Sequence, residues 1–370
     1  MMIKNGFVFN DRFQFEKKNL RIENGIILDD DTCASDPESD MTSIDAENLY
    51  VIPGLIDIHI HGAYGHDFCD NDRNGLMTIA KYLKQNGITS FCPTSMTLDE
   101  KELAGIFRTA VAPLPDEYAA IVGINMEGPF LSSSKKGAQN GNYIRLPDVS
   151  LFRKLNRDAD GLIKLVTIAP ELEHSIDFIR ELSSEVTISL GHTCADFKTA
   201  DLAIQAGATH ITHLYNAMPP YHHRDPGVIG AAADHPNTMV ELISDGIHVH
   251  PSVIRNTFRM FGKDRVVFIS DSMMATGMPD GNYELGKQTV YKNGKKAVLK
   301  DNTLAGSASN LFDCMRNAVH FGIPLEHAIQ AVTANPAKSI GIFDRVGSLA
   351  PGKKADILLM DQSLNLVKIL

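Results

Sequence analysis

The amino-acid sequence predicts an α/β protein: a TIM-type (β/α)8 barrel with a small β domain formed by both termini. Three observations lead there. At 370 residues the chain exceeds one ordinary domain but suits a barrel of about 250 residues with an accessory unit. From Gly54 onward, short runs rich in Val, Ile and Thr alternate with amphipathic segments, the pattern of repeated βα units. Strand-like segments also stand at both ends of the chain, outside that alternation.

The elements follow in order. IKNGFVFN and LRIENGIILD read as strands, the second turning at Asn24-Gly25, a dipeptide that accepts the left-handed backbone of a hairpin. The acidic run Asp29 to Asp40 reads as a solvated loop. Eight apolar runs come next: GLIDIHIH at Gly54, TSFCPTS at Thr89, AAIVGINMEG at Ala119, LIKLVTIAP at Leu162, VTISLGHT at Val186, ATHITHLYNAM at Ala208, TMVELISDGIH at Thr238 and RVVFISDSM at Arg265. Between them, segments such as NGLMTIAKYLKQNG and ADLAIQAGA have helical periodicity and a glycine stop. Tyr283 to Leu304 reads as a β-hairpin excursion, Ser307 to Gly322 and Leu325 to Ile340 as helices, and the tail from Val346 as short strands. The domains expected are a discontinuous β unit over 1–52 and 341–370 around a barrel over 53–340.

A hydrophobic content of 44% with 22% charged residues is that of an ordinary globular protein. The net charge of −10 argues against nucleic acid or an anionic membrane as partner, because both are bound through an excess of Lys and Arg. Any phosphate on a ligand must then be held by local cations. Five scattered cysteines give neither a disulfide framework nor a zinc-ribbon spacing, and residues 1–18 lack a continuous apolar signal core. A reducing, cytoplasmic setting is the expectation.

The chemistry-bearing residues stand at the C-terminal ends of the runs. In VIPGLIDIHIHG, His59 and His61 are two apart, so on a strand both face one point. Glu127 ends the third run, His192 the fifth, His213 the sixth and Asp271 the eighth. Barrel active sites are built on that face. Imidazole and carboxylate donors without thiolates suit Zn, Fe, Co or Mn, and one carboxylate can bridge two ions. His59, His61, Glu127 and Asp271 are the expected ligands of one divalent metal, and Glu127, His192 and His213 of a second. Asp271 is also the candidate general base. Cys194 is read as a small buried filler rather than a ligand. After the sixth run, His222-His223-Arg224-Asp225 brings basic groups to an acidic protein, and Arg224 fits bidentate phosphate binding.

PGLIDIHIHG, MEGPF, LGHT, THLYNAM, DGIHV and SDSMMATG occur in this order, followed by TANPAKSIG and VGSLAPGKKADILLMD. Over roughly residues 45 to 361 the chain thereby resembles the amidohydrolase superfamily and, within it, the N-acetylglucosamine-6-phosphate deacetylases. The resemblance implies a (β/α)8 barrel with a small β-sandwich from both termini, a cytoplasmic role in amino-sugar catabolism, and hydrolysis of an acetamide on a small phosphorylated amino sugar. It implies metal-ligand roles for Glu127, His192 and His213, substrate contacts at Asn216, Ala217, Arg224 and His248, and, by family analogy, a homodimer. Family members differ at the first strand, some keeping the HxH pair and some replacing it. Here His59 and His61 are intact, which favours two metals.

One position departs from the family pattern. In KKGAQNGNYIR, Gln139 occupies a place held by histidine in many members, so a substrate-contacting group is here an uncharged amide that still donates a hydrogen bond. Two rival readings share parts of this pattern. An amidohydrolase acting on another N-acyl compound or a cyclic amide would need the metals and Asp271 but not the phosphate anchors. A non-catalytic binding relative would be expected to have lost ligands, and none is missing.

Overall fold

A computed structural model describes residues 1–28 and 42–370. The acidic run from Asp29 to Asp40, with Cys33, lies outside the described residues. Eight parallel strands form the barrel: Leu55–Ile60, Ile88–Ser95, Ile124–Glu127, Ile163–Ile168, Thr187–Leu190, His210–Ile211, Met239–Ile243 and Val266–Ile269. Each pairs with its successor. The seam between first and eighth is closed just past their C-terminal ends, where Asp271 N donates to His59 O at 3.0 Å and His61 N to Ser272 O at 2.9 Å.

A helix follows each strand, and the starts are written in the sequence. Asp72, Asp99, Asp148, Asp196 and Asn310 each accept a hydrogen bond from a backbone N–H of the first helical turn, covering donors that the helix cannot satisfy itself. The helices pack on the barrel through one continuous apolar layer that includes Phe107, Phe130, Phe152 and Phe178.

The termini meet in a second sheet. Its order runs Leu366–Ile369, Ile357–Met360, Tyr50–Pro53, Met2–Phe9, Phe15–Glu23, Ile26–Ile27, with Ser43–Asp45 added beside Met2–Phe9. The turn at Asn24-Gly25 has φ of 49° and 75°, as the expected hairpin requires. The sheet holds its own apolar cluster around Ile3, Val8, Leu20, Val51 and Leu359. Among the described residues, no helix is long and apolar enough to cross a membrane.

Some elements are finer than the sequence pattern. The third run divides into Ala120–Ile121 and Ile124–Glu127, and the expected hairpin over 283–304 is a three-stranded sheet, Gly281–Leu285, Gln288–Asn293 and Lys296–Val298. The last expected helix is two, Leu325–Val332 and Ala334–Ser339, because Thr333 leaves helical geometry at φ −130° and ψ −80°.

Phe178 ties the outer layer together, its ring 5.2 Å from Phe130 and 5.9 Å from Phe152, both edge-on. Phe178→Ala is expected to cost about 3–5 kcal/mol of stability through lost burial and the cavity left behind. Urea unfolding measures it, and a loss below about 1 kcal/mol would mean that the layer re-forms around the gap.

Candidate active site

The first strand is buried along its whole length, so its alternation carries Asp57, His59 and His61 into the barrel axis. Three of the four histidines are then locked by their Nδ1 atoms. His59 Nδ1 lies 2.9 Å from Glu241 Oε2, His61 Nδ1 3.1 Å from Thr94 O, and His192 Nδ1 2.8 Å from Lys135 O. An acceptor at Nδ1 places the ring proton there and turns the Nε2 lone pair outward.

All four Nε2 atoms face one carboxylate. Glu127 Oε1 lies 3.0 Å from His213 Nε2, 3.1 Å from His192 Nε2 and 3.4 Å from His59 Nε2, while Oε2 lies 3.4 Å from His61 Nε2. Asp271 Oδ1 is 3.3 Å from His61 Nε2 and 3.6 Å from His59 Nε2. The donors fall into two groups able to hold an ion, His59, His61 and Asp271, and Glu127, His192 and His213. All six residues are buried.

The donor set fits a divalent cation. His192 and His213 bring their Nε2 atoms within 3.1 Å of each other, and His59 Nε2 is a buried nitrogen without a hydrogen-bond partner. Two facing lone pairs repel, and two facing protons would clash; a cation between them and the carboxylates relieves both. Charge points the same way. Burial would raise the Glu127 carboxyl, but His59 and His192 beside it hold it well below the usual range. Burial likewise opposes ionisation of Asp271, yet the His61 hydrogen bond and the neighbouring imidazoles lower it. Burial disfavours charge on His59, but Glu241 and Glu127 reverse this and raise its pKa to about 10, so the surroundings demand positive charge at that ring.

The backbone is bent to make this arrangement. His192, His213 and Asp271 have φ of 47°, 27° and 48°, and Tyr215 and Ala217 beside them 78° and 51°. Such left-handed residues cost of order 1–3 kcal/mol each and cluster where geometry matters more than comfort. Gly191 makes the approach of His192 feasible, since a Cβ there would stand 2.6 Å from Thr212 Cβ.

Above the donors opens a cavity of about 540 Å³. Asn216, Ala217, His248 and Gln139 line it, together with Lys135 and Lys136, which sequence reasoning missed. Gln139 turns its amide to the floor: Nε2 donates to Glu127 Oε2 at 2.6 Å and Oε1 accepts from Thr97 N at 2.6 Å. Arg224 is not among the lining residues; it lies on an exposed loop with a guanidinium nitrogen 2.7 Å from His223 Nε2. Cys194 corrects an expectation. It is exposed, not a buried filler: its backbone N–H donates to Glu171 Oε1 at 2.6 Å and its thiol lies 3.0 Å from Ser134 Oγ.

Three further residues escaped the sequence reading. Asp57 is fully buried below His59, and burial, opposed by hydrogen bonds from Ser270, pushes its carboxyl to about 7. Glu241 sits in the apolar run MVELI, where a lone carboxylate was a signal in plain view. Asp245, three residues before His248, accepts its Nδ1–H at 2.7 Å.

The Amidohydrolase family model matches residues 50–369. The chain is 42% identical over 324 residues to N-acetylglucosamine-6-phosphate deacetylase of Bacillus subtilis (strain 168), covering 86% of this chain and 82% of that protein. The chain belongs to the amidohydrolase family, among its N-acetylglucosamine-6-phosphate deacetylases. The family's member from Danio rerio is 36% identical over 377 residues, 96% of this chain and 91% of that one. Among solved structures, a mutant of the Mycobacterium smegmatis enzyme in complex with N-acetyl-D-glucosamine-6-phosphate superposes with a TM-score of 0.90 at 29% identity, over 100% of this chain and 97% of that one. The Pasteurella multocida enzyme gives 0.91 at 27% identity with the same coverage.

The Asp245 to His248 contact generates a pH prediction. Burial lowers the His248 pKa, but Asp245 and, more weakly, Asp271 raise it above its ordinary value. A raised folded-state pKa stabilises the protein below about pH 6.5, and this contribution fades as pH climbs through the folded value. Asp245→Asn is expected to move the His248 titration to lower pH, read by NMR of the imidazole. An unmoved titration would leave the carboxylate no hold on that ring.

Proposed function

We propose that this chain hydrolyses the acetamide of N-acetylglucosamine 6-phosphate to glucosamine 6-phosphate and acetate, in amino-sugar breakdown. The observation that carries the reading is one buried carboxylate, Glu127, facing four imidazole Nε2 atoms with Asp271 alongside, on the floor of a cavity large enough for a sugar phosphate. In this reading Glu127, His192 and His213 would hold one divalent cation, and His59, His61 and Asp271 together with Glu127 would hold a second. Zn, Fe, Co and Mn all suit these donors.

A bound divalent cation lowers the pKa of a water towards 7 and polarises a carbonyl. The chain's own residues do the rest. Asp271, held anionic by His61 and its neighbours, takes a proton from the attacking water as the new C–O bond forms at the acetamide carbon. It returns that proton to the nitrogen as the C–N bond breaks, so the amine leaves neutral, and the acetic acid formed gives up the water's other proton to become acetate. Gln139 orients Glu127 and presents its amide at the cavity wall. Asn216, Ala217 and His248 bind the sugar and its phosphate from the opposite loops, and Arg224 adds charge from the loop that follows the sixth strand. The reading includes a cytoplasmic setting and a homodimer, the latter by analogy with the family.

Acetate release from N-acetylglucosamine 6-phosphate by purified, metal-loaded protein tests the reading. Turnover of the phosphorylated sugar far above that of N-acetylglucosamine is expected, and equal turnover of both would favour a broader amidohydrolase. Asp271→Asn, unable to carry the proton, should lower turnover by about 10²–10⁴-fold with substrate still bound. Near-parental turnover with metal retained would reassign Asp271 to a structural role.

Elemental analysis tests the metals. Parent protein should carry close to two ions per chain, and the double variant His59→Ala with His61→Ala should lose one while the group of Glu127, His192 and His213 keeps the other. A double variant that retains both would refute the ligand assignment.

A further inference from the structure

Behind the donors, on the strand Met239–Ile243, Glu241 is fully buried. Its Oε2 accepts from two donors that belong to different halves of the site: His59 Nδ1 at 2.9 Å and the backbone N–H of His213 at 3.0 Å. Its Oε1 faces a second buried ring, His210 Nε2, at 3.3 Å. Glu241 does not line the cavity.

We infer that Glu241 is a positioning residue that couples the two groups of metal donors, fixing the His59 ring with one oxygen and the backbone of His213 with the same oxygen. The inference rests on the metal-binding part of the proposed function.

Two physical arguments support it. A histidine that binds a metal through Nε2 must keep its other proton on Nδ1, and an anionic acceptor there sets both the tautomer and the ring angle while raising the basicity of Nε2. His61 and His192 receive that support from backbone carbonyls, whereas His59 receives it from a full charge. His213, in turn, turns through φ 27°, a conformation that a side-chain residue keeps only when held. Glu241 supplies that hold from the barrel interior, in surroundings where a charge-assisted hydrogen bond is stronger than in water. One oxygen thus sets the spacing between a ligand of each group, and removing its charge should loosen both ends together.

The experiment titrates zinc into metal-free parent and Glu241→Gln protein. Glutamine is the same size, but it is neutral and has one acceptor oxygen with an amide beside it. Zinc affinity is expected to fall about 10–100-fold, the usual effect of losing a partner behind a metal ligand. In addition, the zinc-loaded parent should show a downfield, exchange-protected imidazole Nδ1–H resonance that vanishes in His59→Ala and shifts in Glu241→Gln. Unchanged zinc affinity in a folded Glu241→Gln protein would overturn the inference. So would a zinc-loaded parent whose His59 Nδ1 carries no proton, an observation that needs no variant at Glu241 to fold. A parent that binds zinc as expected yet releases no acetate would instead overturn the proposed substrate and leave the role of Glu241 standing.

Discussion

The contact on which the rest of the molecule depends is the burial of Glu127 against imidazole nitrogens at the C-terminal end of the barrel strands. A carboxylate and a crowd of lone pairs cannot be taken out of water without compensation. The compensation is supplied in layers. Protons on Nδ1 are tied to Glu241, Thr94 and Lys135, the facing nitrogens are turned to one point, and positive charge is drawn there. The two oxygens of Glu127 are used differently: Oε1 faces three rings, and Oε2 faces His61 and the Gln139 amide. Both oxygens of Glu127 are therefore committed to the site, with four imidazole nitrogens and one amide facing them.

That demand explains why the barrel interior is not the apolar stack usual for the fold. Thr167, Ser189 and Thr212 form a chain of hydroxyls, with Oγ separations of 2.9 and 2.6 Å, on strands four, five and six or just past their ends. Asn125 Nδ2 donates to Ile58 O across the barrel, and Asp57 accepts from Ser270 N and His59 N. The polar groups sit on the axis, and the apolar core lies outside, between strands and helices, where Phe107, Phe152 and Phe178 are found. Stability is drawn mainly from that outer layer, while the inner one fixes where strand ends point.

Much of this was legible in the sequence. Val, Ile and Thr runs located the strands, and the histidines and carboxylates at their ends located the donors, because period-two alternation fixes the direction of a side chain once its strand is known. Asn24-Gly25 predicted its turn for the same local reason. What could not be read depended on pairs of residues distant in sequence. His210–Ile211 is shorter than its run because the chain turns at once through Thr212 and His213 to reach Glu127. Gln139 lines the cavity, and its sequence position does not reveal that its carbonyl is met by Thr97 N and its amide by Glu127. Cys194 looks like a buried filler until Glu171, more than twenty residues earlier, is seen to hold its backbone. Arg224 stands on an exposed loop outside the residues that line the cavity, a placement that its spacing in the sequence does not give.

The seam of the barrel shows how closely fold and chemistry are joined. Asp271 N donates to His59 O, and Asp271 O accepts from Ser307 N at 2.6 Å, so the residue that closes the first strand onto the eighth is also the one whose carboxylate faces His61. Its φ of 48° follows from serving both ends at once, since the chain must leave the eighth strand, bond sideways to the first and still aim a side chain inward. A residue free of the seam could adopt an ordinary conformation, but its carboxylate would then be positioned by a mobile loop. Placing the proton carrier in the closure makes the barrel's hydrogen bonds its support, and the backbone strain is what that precision costs. Glu241, on the seventh strand beside the eighth, holds His59 by its ring as Asp271 holds it by its carbonyl. The first-strand histidine is thereby fixed at both ends by residues that are themselves fixed by the closed sheet.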